Sequence, residues 1–137
     1  MTNPNIVNVT SITGEVDQFA LTTTLSTVLV TAAAEKIYKI NSINVLTCAS
    51  DKLIKINSII IANIDGTSDA AVTLGLIKSG GAQVDFASTI TVPADATLVV
   101  IDKNNGFYLE EGDAIVGGAS ADGDLTATIS YEVIDDA

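Results

Sequence analysis

The sequence predicts an all-β protein: an antiparallel β-sandwich of jelly-roll or immunoglobulin-like type with an N-terminal extended arm. Three observations lead there. Ile, Val and Thr supply 46 of the 137 residues, and their β-branched side chains suit a pleated surface. Apolar and polar residues alternate with period two in several stretches, as in strands with one buried face. Turn residues recur at roughly 8–12-residue intervals, the spacing of short strands in sandwiches and barrels. Hydrophobic residues make up 47% of the chain, enough to close the low-hydrophobicity route to disorder, and the length suits a single core. The expected division is an arm over 1–25 and a sandwich domain over 26–137.

Taken in order, residues 1–18 are polar and irregular, with Ile6, Val7 and Val9 able to add one strand; the segment reads as an arm, either frayed in solution or ordered by lying on a neighbouring chain. The one stretch with helical composition, Thr31 to Lys36, is too short to hold a helix without tertiary support. An internal repeat follows. Residues 29–43 align without gaps to residues 45–59 at an offset of 16, with eight of fifteen positions identical, including Lys36/Lys52 and Lys39/Lys55. Each copy reads as strand, turn, strand, so the expectation is a duplicated hairpin.

Further on, Val72, Leu74 and Leu76 alternate with Thr73 and Gly75 before a Ser79-Gly80-Gly81 turn. Strands over 84–92 and 97–101 flank Pro93-Ala94-Asp95, and Asp102 to Gly106 forms the next turn. The clearest strand is Leu125 to Val133, whose odd positions are apolar and whose even positions are Thr, Thr, Ser and Glu. Its expected hairpin partner is 113–119, across the turn at Ala121 to Asp124.

Charge narrows the partners. The chain holds 17 acidic residues and six Lys, with no Arg and no His, for a net charge of −11. Phosphate backbones are gripped by Lys and Arg, and bases are read most often by Arg, so nucleic acid is not an expected partner. Three Phe, three Tyr and no Trp leave little for stacking bases or sugars. Met1 to Ile6 lacks the pattern of a secretory signal, and no apolar run reaches a membrane-spanning length of about 18 residues, so a soluble protein without a membrane partner is expected. Four of the six Lys (Lys36, Lys39, Lys52, Lys55) fall within 36–55 beside one acid, Asp51. If Lys39 and Lys55 share a sheet face, that face can dock on an acidic surface, including a second copy; the alternative is lysines that guard sheet edges.

No catalytic residue, cofactor or enzymatic activity is expected. Without His, the usual general base and the commonest metal ligand are missing, and the lone Cys48 reads as a buried, inert thiol. Glu110, Glu111 and Asp113 are the densest acidic cluster, but adjacent strand residues point to opposite faces and Leu-Glu-Glu-Gly-Asp has a turn composition. Asn63, Asp65 and Asp69 offer alternating oxygens to calcium, a weak match because the Glu of an EF-hand loop is missing; the same residues suit an Asx-rich turn.

Four motifs occur in order: Ile56-Asn-Ser-Ile-Ile-Ile-Ala-Asn63 with Asp65-Gly66, Ile90-Thr-Val-Pro-Ala-Asp-Ala-Thr-Leu-Val99, Phe107-Tyr-Leu-Glu-Glu-Gly-Asp113, and Gly123-Asp-Leu125 leading to Ile129-Ser-Tyr-Glu132. Together they resemble the small β-sandwich virion proteins of tailed bacteriophages, particularly marine and cyanobacterial phages. The resemblance covers about two thirds of the chain; residues 1–43 depart from it. It implies a capsid decoration or cement protein within the virion, assembled in the host cytoplasm, contacting the major capsid protein or other virion proteins and forming a homo-oligomer. A neck, collar, tail or fibre component is the alternative it leaves open, and a calcium-binding adhesin module the remote one. The residues expected at interfaces are Lys36, Lys39, Lys52, Lys55, Ile6, Val7 and Val9.

Overall fold

The structure is a computed structural model that describes residues 9–21, 23, 38–40, 43–48 and 51–136. Its strands are β1 (Val9–Ala20), β2 (Tyr38–Ile40), β3 (Ile43–Thr47), β4 (Lys52–Asn63), β5 (Ala70–Ile77), β6 (Gln83–Val92), β7 (Thr97–Ile101), β8 (Tyr108–Leu109), β9 (Ala114–Ala119) and β10 (Leu125–Asp136). There is no helix among the described residues, and every strand pairing is antiparallel.

The pairings are nested. β1 pairs with β10, β3 with β9, β4 with β7 and β8, and β5 with β6. The chain is therefore one long hairpin, and rolling it up adds two further ladders, β10 to β4 and β9 to β5. Sheet A then runs β1-β10-β4-β7, with β8 in line with β7 against β4, and sheet B runs β2-β3-β9-β5-β6. Of the two sandwich types compatible with the sequence, this order is the jelly roll.

The core lies between the sheets and follows the alternation. Leu125, Ala127, Ile129, Tyr131 and Val133 of β10 are all buried, facing Leu74, Ile115 and their neighbours in sheet B. In β4 the buried positions change parity, from Ile54 and Ile56 to Ile59 and Ile61. The register explains this: Tyr131 pairs with Ile56 and Ser130 with Ser58, leaving Asn57 as an extra residue. Such a bulge shifts the following side chains by one position, which lets Ile59 and Ile61 turn inward. Phe86 and Phe107 meet edge to face at 5.6 Å where β6 lies near β8. A second, smaller cluster of Ala114, Val116 and Ile77 occupies the opposite face of sheet B.

Three expectations are corrected. Residues 113–119 are not the hairpin partner of β10: β9 pairs with β3 and β5 in sheet B, while β10 pairs with β1 and β4 in sheet A, so the turn at 121–124 crosses between the sheets. Residues 9–20 are not an arm but the edge strand β1, registered along its length with β10. Beyond it, Leu21 is fully buried in the core and donates its N–H to Leu125 O at 2.8 Å. The core-side register positions of this strand include Ser11, Thr13 and Glu15, so no buried apolar face marks it in the sequence. Ile6 and Val7 lie outside the described residues, while Val9 begins β1. The second repeat copy is not a hairpin either. Its halves, β3 and β4, belong to different sheets, and Asp51, immediately before β4, sits at φ 59°. The hairpin that does form, β2 with β3, straddles the boundary between the copies; residues 29–37 lie outside the described residues.

Gly106 shows how closely the sheet edge is packed. A Cβ there would collide with the carbonyl oxygen of Ile56, whose own N–H donates to Phe107 O at 2.8 Å. Gly106→Ala is expected to cost about 2–3 kcal/mol, since backbone must move to relieve the overlap. Urea denaturation followed by circular dichroism measures it, and a loss under about 0.5 kcal/mol contradicts the contact.

Candidate interaction surface

Register places a defined set of side chains on the outer face of sheet A. Partners across an antiparallel ladder share a face, so Ile12 joins Ile134 and Leu53; Gly14 joins Glu132, Lys55 and Tyr108; Val16 joins Ser130 and Ser58; Gln18 joins Thr128, Ile60 and Val99; and Ala20 joins Thr126, Ala62 and Thr97. Across these rows the charged residues are Lys55 and Glu132, opposite each other in register. In a chain of net charge −11 this face is close to neutral. It also exposes apolar side chains: Ile12, Val16, Val99 and Tyr108 are 60%, 62%, 56% and 53% accessible. A neutral, β-branched face can meet another protein without the repulsion that acids would bring.

The acids are concentrated in turns, where the backbone uses them. At one end of the sandwich, buried Asn63 donates from Nδ2 to Ser68 O and Val92 O, both at 2.9 Å, and accepts from Asp65 N–H. Asp65 accepts from the hydroxyl and amide of Thr67, which hold its carboxyl below the ordinary 3.8. Asp69 accepts from Ala94 N–H. The three calcium candidates are thus engaged in the turn itself, and no group of three His, Cys, Asp or Glu suited to a metal occurs among the described residues. Asn63→Ala is expected to cost about 2–3 kcal/mol, because it strips partners from buried backbone groups, by the same amount with or without millimolar Ca²⁺; a calcium-dependent loss in thermal denaturation contradicts this.

At the other end, Asp113 is fully buried. Its carboxylate accepts from Ser79 N–H at 3.0 Å, Glu110 N–H at 2.9 Å and Lys78 Nζ. Lys78 also reaches Glu110 at 3.0 Å, and Glu111 accepts from Asp51 N–H. The acidic cluster therefore staples the turns after β5 and β8 together. Cys48, buried beside it, donates from Sγ to Lys52 O. Hydrogen bonds that Lys78 donates to Asp113 first and Glu110 second raise its pKa above the ordinary 10.5. A raised folded pKa gives stability that is complete below the unfolded value and lost as pH rises through the folded one. Between pH 9 and 11.5 the urea midpoint is expected to fall more for the wild type than for Lys78→Met; equal falls contradict the pairing.

The repeat's lysines are not gathered. Lys52 pairs with Asp135, Lys55 lies on the outer face of sheet A, Lys39 belongs to β2 in sheet B, and Lys36 lies outside the described residues. Lys39 and Lys55 are in different sheets, so a shared basic face is corrected to a neutral apolar one. Its exposed Ile12 and Val16 went unrecognised in the sequence because β1 did. No family model matches the chain, and no curated protein matches it.

Proposed function

We propose that the chain is a structural protein of a tailed-bacteriophage virion, a decoration or cement protein that packs against the major capsid protein or other virion proteins. The observation that carries this reading is the outer face of sheet A, neutral and apolar on an otherwise strongly acidic molecule, as a protein-docking surface requires. The motif run described above supports the virion setting, and the jelly roll is a fold used in viral shells, among other roles. The engaged acids and the absence of His in the sequence favour contact over chemistry.

The test is to purify particles from a host producing this chain, quantify the protein by mass spectrometry and locate it by immunogold labelling. Hundreds of copies over the shell are expected. Absence from particles overturns the virion reading, and about five, six or twelve copies at one vertex replaces decoration with a neck or collar role.

A further inference from the structure

The four edges of the two sheets are not alike. β2 is three residues long, and β7 and β8 break their edge into pieces of five and two residues. β6 is longer but carries two register shifts, with Thr89 at φ 47°. Short, broken and bulged edges resist pairing with other chains. β1 has none of these defences beyond one irregularity between Val9 and Ser11: its register runs unbroken from Ser11 to Ala20, and it contains no Lys or Pro. Among the described residues no strand lies against its outward side.

The outward hydrogen-bonding groups can be identified. Leu21 N–H points to β10, and direction alternates along a strand, so the odd residues of β1 face β10 while Ile12, Gly14 and Val16 present their N–H and C=O groups outward. Among the described residues nothing within one copy requires a glycine at position 14. Its φ is not positive, and a Cβ there would meet nothing within 4 Å. Glycine inside a strand weakens it and often marks the close approach of another backbone.

We infer that two copies join through β1, antiparallel and two-fold symmetric about Gly14, so that their A sheets become one continuous sheet. In this register Gly14 pairs with Gly14 of the second copy, and each Ile12 pairs with a Val16 on the outer face, covering two apolar side chains that are exposed in the single copy. Glu15 falls opposite Thr13, and Asp17 opposite Ser11. Neighbouring registers are poorer. Centring on Glu15 sets acid against acid, centring on Val16 sets Glu15 against Asp17, and centring on Thr13 sets Ile12 against Gly14 and Val16 against Thr10. An interface of this kind is self-complementary, as a two-fold dimer requires, and joins strand to strand through backbone hydrogen bonds. The inference does not rest on the virion reading, since purified copies associate with or without a particle.

Sedimentation of the purified full chain tests it. The wild type is expected to dimerise at micromolar concentration. Gly14→Pro removes an outward donor that β10 does not use, and is expected to give a folded monomer. Ile12→Lys is expected to weaken dimerisation at least ~10-fold, and Ile12→Lys/Val16→Glu to restore it, because the register sets each Lys opposite a Glu. A wild type that stays monomeric at millimolar concentration overturns the inference, as does a folded Gly14→Pro chain that still dimerises. Should the proline variant not fold, undiminished dimerisation of Ile12→Lys overturns it, and failure of the double variant to recover overturns the register.

Discussion

Asp113→Ala is expected to lower the unfolding free energy by about 3–5 kcal/mol. The carboxylate is fully buried, yet it serves two backbone amides, Ser79 and Glu110, and one cation, Lys78. Removing it leaves those part-buried amides without their acceptor, each at about 1–3 kcal/mol, and opens a gap between the turns after β5 and β8. Lys78 contributes less to the loss, because its side chain is 53% exposed and water solvates the freed ammonium. Lys78→Met should therefore cost well under half as much as Asp113→Ala. Urea denaturation of both variants measures the difference, and equal losses would mean that the ion pair, not the amide contacts, holds these turns.

Tyr131→Ala is expected to cost about 3–5 kcal/mol. Tyr131 is the largest fully buried side chain among the described residues and stands beside the Asn57 bulge, paired in register with Ile56 and Glu15. Truncation empties the middle of sheet A where the strand on its other side, β4, changes phase. Tyr131→Phe keeps the ring and separates packing from the hydroxyl, whose contact with Glu15 Oε2 is long at 3.4 Å. Most of the stability should survive in the phenylalanine variant. A Phe variant as unstable as the Ala variant would show that the hydroxyl, rather than the ring, carries the effect.

How much of this was legible depends on what each strand buries. The buried face of β10 was readable over 125–133 because one face is apolar and the other is Thr, Ser and Glu, but its extension to Asp136 and its partners were not, since alternation does not say which sheet a strand joins. The turn at 109–113 was readable as a turn, though not as a staple, since nothing local says that Asp113 will be buried against Ser79, on another connection. The β4 bulge left no local mark: Asn57 is an unremarkable residue, and only the change of parity from Ile56 to Ile59 hints at it. The repeat misled because matching segments need not occupy matching places. Its second copy spans both sheets, with Asp51 at a positive φ immediately before β4. β1 was hidden because its core-side register is polar. The feature on which the candidate surface depends, a neutral outer face, emerges only when five strands are laid side by side.

The nesting of the strands also governs the order in which the molecule can form. β10 is the central partner of both β1 and β4, yet it is the last of the described strands to emerge during synthesis. Until then β4, with its run of Ile59, Ile60 and Ile61, lacks its principal neighbour, and β1 has none among the described strands. Pairings this distant in sequence close slowly, and an isoleucine-rich strand without its partner is prone to pair with whatever strand it meets first. The unguarded edge and the late-arriving central strand thus place the main hazard for this chain in the interval before β10 docks, when its contacts with other chains are as yet unselected.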